Sequence, residues 1–228
     1  MTDPGEKPTV PAATVIVLRD MPTGLEVLMC RRNANLAFVG GHWVFPGGRI
    51  DATDTAMGGS EDAIARRACV REAEEEVGLT IDAGSLVAFS HWTAPPQAER
   101  RFATWFYVGA VDEAEATKAD GGEILECLWL TPAAALERHG SGELPLAPPT
   151  WVTLWQLARA SDVSDALAQA RERGVEVFST NMVVLDGTLI ALEPGDAGHA
   201  TGDPSVPGAR HRVVMDDAAG WRYERSPG

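Results

Sequence analysis

Short runs of β-branched and aromatic residues alternate along the chain with polar, glycine-rich spacers, and one long helical-period segment interrupts them. Ala13 to Leu18 predicts a strand, Arg19 to Gly24 a turn, and Leu25 to Arg32 the second strand of a hairpin. A loop over Asn33 to Gly41 leads to a short apolar strand that ends in Phe45-Pro46-Gly47-Gly48. Ala52 to Gly59 reads as loop. Ser60 is an N-cap candidate, and a helix is predicted over Glu61 to Val77 with Ile64, Ala68, Cys69 and Ala73 as its apolar stripe. Leu79 to Ser90 predicts a strand region, Trp92 to Pro96 a loop, and Phe102 to Val111 an aromatic-rich strand. Asp112 to Gly122 is an acidic loop, Ile124 to Leu130 a strand, and Thr131-Pro132 the start of a short helix. A Pro-rich spacer, Leu144 to Pro149, precedes a helix predicted over Thr150 to Gly174. Two hairpins follow, around Asp186-Gly187 and around Asp216 to Gly220.

These elements give an α/β chain with segment boundaries at 1–12 (disordered), 13–139 (main domain) and 140–228 (a C-terminal helix-plus-hairpin extension). The length of 228 residues and the 45% apolar content support a sizeable core. A net charge of −14 argues against a broad basic surface for nucleic acid, while leaving room for an anionic small molecule held by local arginines or a cation. Cys30, Cys69 and Cys127 are far apart and show no C-x-x-C spacing, so they read as small buried hydrophobes in a reducing cytoplasm. No apolar run reaches membrane-spanning length, and the N-terminus shows no apolar segment behind a basic patch.

The candidate chemistry lies at the end of the long helix. Glu72, Glu75 and Glu76 are spaced i, i+3, i+4, which places three carboxylates on one helical face. Like charges there repel, and a hard divalent cation such as magnesium or manganese would offset the repulsion. Gly78 is suited to a left-handed helix cap. Upstream, the Gly47-Gly48 pair would let a backbone approach a ligand closely.

Together these two stretches resemble the Nudix box, G-x5-E-x7-R-E-U-x-E-E-x-G-U, where U is a bulky apolar residue. Arg71, Glu72, Glu75, Glu76, Gly78 and Leu79 fit its second half, with Ala73 a small residue at the first U. Six residues on from Gly48 the chain has Asp54 where the pattern has Glu, and residues 55 to 70 separate Asp54 from Arg71, about nine more than the pattern allows.

The resemblance implies a Nudix α/β/α sandwich with a mixed β-sheet and metal-dependent hydrolysis of a nucleoside diphosphate linked to another group. It implies Mg2+ or Mn2+ held by Glu72, Glu75 and Glu76 with a Gly47 carbonyl, and Arg71 orienting Glu75. The general base is Glu72 or a later glutamate, Glu123 or Glu126. Arg32, Arg49, Arg100 and Arg101 are candidates for phosphate contacts, and Trp92 for stacking on a base. Asp51 and Asp54 either add contacts around the metal or cap the loop and the insert. The stretch Leu28, Arg32, Leu36, Gly41 and Phe45-Pro46-Gly47-Gly48 is similar to the upstream signature of coenzyme A diphosphatases, with Val39 where that signature has histidine. The inserted box, Arg100-Arg101-Phe102 and Pro148-Pro149-Thr150 are closer to a larger peroxisomal-type group acting on coenzyme A and its thioesters. Coenzyme A or an acyl-coenzyme A is therefore the favoured substrate, with ADP-ribose or an oxidised nucleotide as runner-up and a weakly catalytic nucleotide-binding regulator as the competing class. The resemblance also implies a homodimer, and the reading as a whole places the protein in the cytoplasm, clear of nucleic acid and membranes.

Overall fold

The computed structural model describes residues 7–36, 39–112 and 117–226. Part of the acidic loop, and the first six residues of the segment expected to be disordered, lie outside this set. The chain divides into two units, one of residues 11–91 and 104–176, the other of 1–10, 92–103 and 177–228.

The larger unit is built on the antiparallel pair β1 (Thr9–Met21) and β2 (Gly24–Arg32), joined by a turn at Pro22-Thr23. β1 begins at Thr9, inside the segment expected to be disordered, and from Ala12 to Thr14 it pairs with a strand absent from the sequence reading, β4 (Gly47–Arg49). β3 (Trp43–Val44) and β7 (Ile124–Leu130) both pair with β2. β5 (Val87–Thr93) and β6 (Arg101–Ala110) complete the order β3-β2-β1-β6-β5, and β8 (Glu176–Ser179) adds to the β5 edge.

Two helices stand before β5. α1 (Ala52–Ala56) occupies the stretch read as loop, and α2 (Glu61–Val77) runs over the predicted span with Ser60 as its N-cap. Ala65, Ala68, Cys69, Ala73, Glu76 and Val77 form its buried stripe, so the fourth-turn carboxylate Glu76 falls on the core side. Ile64, expected in that stripe, is only half-buried, and Ala65 takes its place. Small side chains on this face let α2 lie close against Val15, Val17, Leu28, Tyr107 and Ile124 of the sheet. Gly78, at φ 72°, caps the helix by donating its N–H to the carbonyls of Ala73 and Glu74.

After β7, α3 (Pro132–Gly140) has Thr131 as its N-cap and Pro at its first turn, as expected. The single helix expected over 150–174 is two helices, α4 (Pro148–Leu157) and α5 (Val163–Arg173). The break falls where Asp162 caps α5 through the Asp165 N–H, and Val163 N–H also donates to Asp20 of β1. Local side-chain capping at Asp162 outcompetes continued helix there.

The smaller unit carries the two hairpins, β9 (Asn181–Leu185) with β10 (Thr188–Leu192), and β11 (His211–Met215) with β12 (Arg222–Arg225), in one antiparallel sheet of order β12-β11-β10-β9. Asp186 (φ 50°) and Gly187 (φ 83°) make the turn that their sequence predicts. The Asp196 carboxylate accepts from Arg212 Nε and Nη2 at 2.7 and 2.6 Å, pinning the long connection between β10 and β11.

Glu193 is fully buried in this unit; Thr180 Oγ1 donates to its Oε1 at 2.7 Å, and its Oε2 has no partner among the described residues. Burial pushes its carboxyl up to about 8, from an ordinary 4.5. Between those values the folded chain keeps a proton that the unfolded chain has released, so this group's contribution to stability falls as pH rises through that window. Glu193→Gln is expected to flatten the stability–pH curve between about pH 5 and 8 and to raise stability above pH 8 by about a few kcal/mol. Urea denaturation at several pH values measures it; an unchanged slope would show that the carboxyl is ionised when folded.

Candidate active site

The Gly47-Gly48 turn and the C-terminal half of α2 meet face to face. Pro46 leads in: its carbonyl accepts from Val15 N–H at 2.9 Å and from Thr14 Oγ1 at 2.6 Å, which fixes the entry to β4. Gly47 then lies at φ 154°, so close to β1 that a Cβ would sit 2.4 Å from the Ala13 carbonyl oxygen. Gly48 has the complementary restriction, because a Cβ there would sit 2.4 Å from Glu72 Oε1. The first glycine is required by the sheet and the second by the carboxylate, which accounts for the pair.

Glu76 and Glu72 are the two carboxylates this turn receives. Gly47 N–H donates to Glu76 Oε2 at 2.8 Å, while Glu76 Oε1 is buried with no hydrogen-bond partner among the described residues. Burial pushes the Glu76 carboxyl up to about 8, with the Glu72 charge adding and the Gly47 N–H opposing. Burial also raises Glu72, against the pull of Arg71. Two carboxyls held near one another with an orphaned oxygen form a hard-oxygen donor set suited to a divalent cation. The described residues include no group of three or more His, Cys, Asp or Glu side chains already arranged around a single point, and the reason is visible at Glu75. Its Oε2 is drawn to Arg71 Nη1 at 2.9 Å, and its side chain is 60% exposed.

Arg71 organises the outer side of the cluster. The expected i, i+4 pair with Glu75 is present, and Arg71 Nη1 also approaches Glu72 Oε1 at 3.0 Å. Its main partner is one the sequence reading did not assign. Asp54, 4% exposed, takes Arg71 Nε and Nη2 on its two oxygens at 3.1 and 2.9 Å. This fork holds the guanidinium firmly in its charged form.

Asp54 reaches Arg71 across the insertion because α1 folds it back. Asp51 caps α1 through the N–H groups of Thr53 and Asp54, and the Asp54 carboxylate accepts from Asp51 N–H in return. Arg67 then clamps the far side, donating to the Asp54 and Gly58 carbonyls at 2.8 and 2.6 Å. The D-x-x-D spacing was the available signal, since it is the acidic analogue of a capping box.

The remaining candidates separate clearly. Glu123 lies near enough for its charge to add to the rise of both Glu72 and Glu76, and Arg32 Nη2 approaches its Oε2 at 3.2 Å. Glu126 pairs instead with Arg31 at 3.1 Å on an exposed stretch of β7. Arg32 is therefore a partner of Glu123, with its Nε buried and without a hydrogen-bond partner among the described residues. Arg49 is exposed beside the glycine turn, has no ion-pair partner among the described residues, and lends its carbonyl to Arg71 Nη2 at 3.2 Å.

Two expectations are corrected. Arg101 is 5% exposed and donates to the carbonyls of Ala94 and Lys7, so it ties backbone segments together and has no surface for phosphate. Trp92 belongs to β5, is 4% exposed, and stacks on Phe178 at 3.7 Å, so its face is already covered. β5 runs on to Thr93, which puts Trp92 in the core, and β6 opens at Arg101, one residue earlier than expected, which buries that side chain. Arg100 is exposed and, with Arg101 and Trp92, lies in the smaller unit.

Among known proteins, the chain is 29% identical over 159 residues to the acyl-coenzyme A diphosphatase NUDT19 of Gallus gallus, covering 66% of this chain and 42% of that protein. It is 26% identical over 204 residues to a Mycobacterium tuberculosis protein named, provisionally, 8-oxo-dGTP diphosphatase 3, covering 87% and 82% respectively. The chain spans 37–61% of the length of three of the curated relatives it matches. Among solved structures, a NUDIX hydrolase from Alicyclobacillus acidocaldarius superposes with a TM-score of 0.64 at 24% identity, over 71% of this chain and 96% of that one, which shows a shared fold. Residues 8–149 match the NUDIX domain, and with its glycine turn, carboxylate helix and fold in place the chain belongs to that family.

Proposed function

We propose that this chain hydrolyses the diphosphate of a nucleoside diphosphate linked to a second group, with coenzyme A or an acyl-coenzyme A as the favoured substrate. The observation that supports it most is Glu76, a buried carboxyl with one oxygen committed to Gly47 N–H and the other unpartnered beside Glu72. Nudix hydrolases generally use divalent metal ions. When bound, such a cation, Mg2+ or Mn2+, neutralises phosphate charge and lowers the pKa of a water molecule. Glu72 and Glu76 would hold it, with Glu75 recruited from Arg71 and the Gly47 backbone adjacent.

The chain's own groups supply the rest. Glu123, paired with Arg32 and near enough for its charge to act on Glu72 and Glu76, would take a proton from the attacking water. Arg49 is free to contact a phosphate oxygen beside the glycine turn. Water adds across one P–O–P linkage, giving two phosphomonoesters. Glu123→Gln is expected to lower kcat by roughly 10²-fold or more with little change in KM, whereas Glu126→Gln is expected to cost less than about tenfold. Steady-state kinetics on both variants measures this, and the reverse ranking would move the base to Glu126.

A second substrate reading, an oxidised nucleotide, has support from the extent of the mycobacterial relative, and ADP-ribose belongs to the same panel. Product masses from coenzyme A, acetyl-coenzyme A, ADP-ribose and 8-oxo-dGTP with magnesium separate the readings. Release of 4′-phosphopantetheine from coenzyme A is the expected result; turnover of ADP-ribose or 8-oxo-dGTP without it would overturn the substrate assignment. The assembly expected with this reading is a cytoplasmic homodimer, which sedimentation of the purified chain would test. No helix of the described residues is long and apolar enough to cross a membrane.

A further inference from the structure

The composition reads all three cysteines as small buried hydrophobes, and Cys69 fits that reading. It is fully buried on α2, donates to the Arg66 carbonyl, and has its thiol pushed up to about 12 by burial. Cys30 and Cys127 are different. They are direct cross-strand partners in the β2–β7 ladder, separated by 97 positions in sequence, with their Sγ atoms 3.8 Å apart. Directly opposed residues on antiparallel strands have Cβ atoms about 4.5–5.5 Å apart. A disulfide takes a Cβ separation of roughly 3.5–4.5 Å and an S–S bond of about 2.05 Å. The two sulfurs already touch, so bond formation needs a side-chain rotation and a small approach of two strands that are already hydrogen-bonded.

Access is graded between them. Cys30 is fully buried between Val44 of β3 and Cys127 of β7, whereas Cys127 is half-buried. The S–H···S contact with Cys30 also holds the Cys127 thiol below its ordinary value. Cys127 follows Glu126 and Cys30 precedes Arg31, so the pair sits one residue from an exposed ion pair and beside the irregularity at Arg31/Arg32.

We propose that Cys30 and Cys127 form a reversible dithiol–disulfide couple, in which Cys127 meets a peroxide oxidant and Cys30 resolves it. In the first step the Cys127 thiolate attacks the peroxide O–O bond, giving Cys127 sulfenic acid and hydroxide from hydrogen peroxide. In the second, Cys30 sulfur attacks the Cys127 sulfur, the S–O bond breaks, and water leaves with the Cys30 proton. The sum converts two thiols and one hydrogen peroxide into one disulfide and two waters. The resulting bond staples β2, which ends at Arg32, to β7, which Glu123 immediately precedes.

The test is chemical and independent of any catalytic assay. The full chain is treated with equimolar hydrogen peroxide, alkylated with N-ethylmaleimide after denaturation, digested, and mapped by mass spectrometry. The expected result is a linked pair of peptides carrying Cys30 and Cys127, with Cys69 alkylated, and recovery of both thiols with dithiothreitol. In Cys30→Ser the reaction is expected to stop at a Cys127 sulfenic acid trapped by dimedone. Full alkylation of Cys30 and Cys127 after peroxide, a Cys127 sulfinic acid with Cys30 still free, or a link between two chains would each overturn the proposal.

Discussion

Glu76→Gln is expected to lower diphosphate hydrolysis by about 10²–10³-fold, the range found when one group that stabilises transition-state charge is removed. The same substitution is expected to stabilise the fold in the presence of a chelator. Glu76 lies on the buried stripe of α2, and its carboxyl is pushed up to about 8 by burial, well above an ordinary 4.5. From about pH 4.5 to 8 the folded chain holds a proton that the unfolded chain has lost, so stability falls as pH rises and stays at its lower level above pH 8. Glutamine keeps an acceptor for the Gly47 N–H and removes the charge, so the penalty on the order of a few kcal/mol disappears. Added Mg2+ or Mn2+ should then raise the denaturation midpoint of the parent chain and leave Glu76→Gln unmoved, because only binding to the folded state contributes stability. Paired denaturation curves with and without the ion, beside initial rates, separate the two effects. A variant that loses stability and keeps its rate would remove Glu76 from the site, and hydrolysis that survives Glu75→Gln combined with Glu76→Gln would sink the proposed metal site.

Arg71→Ala acts in the opposite sense, lowering both stability and rate. It leaves the Asp54 carboxylate buried at 4% exposure without its fork of two hydrogen bonds. Breaking a pair of this kind costs about 3 kcal/mol or more, which corresponds to roughly 6–12 °C in Tm for a chain of this size. The rate is expected to fall by about 10–100-fold, the usual cost of losing a group that orients the liganding side chains. Arg71→Lys should recover little, since an ammonium cannot satisfy both Asp54 oxygens and Glu75 together. Asp54→Asn added to Arg71→Ala should restore part of the Tm and none of the rate, because it removes the stranded charge without orienting Glu75. Calorimetry and kinetics on this double-variant cycle measure the separation; additive Tm changes would show that Asp54 and Arg71 are not coupled.

Much of the site was legible because it is local. The helix span, the Ser60 cap and the Gly78 stop all act within one helix, and the structure has them as read, while of the three carboxylates Glu76 turns to Gly47 and Glu75 to Arg71. The Gly47-Gly48 pair was legible as a close approach, although the sequence did not say that two different neighbours impose it. What the sequence concealed was non-local. The Asp54–Arg71 fork joins residues 17 apart through a helix too short to show a hydrophobic period. Glu123, just before β7, and Glu126 within it look alike in sequence, and their partners Arg32 and Arg31 on β2 tell them apart. Strand ends were the other weak point: β5 runs three residues past Ser90 and puts Trp92 into the core, and β1 starts at Thr9, four residues before its expected start. The break before α5 came from a capping side chain, which competes with helix at a level that composition alone does not resolve.

The clasp around α1 separates two properties of the insertion that a longer loop would ordinarily mix. Asp51, Asp54 and Arg67 fix both of its ends onto α2, while Met57 between them stays 79% exposed. The residues at its tip are thus uncoupled from the liganding turn, and their number and chemistry can drift without shifting Arg71. In mechanical terms the clasp is a strain relief: a push on the exposed tip is taken up at Asp51 and Arg67 before it reaches the Asp54–Arg71 fork.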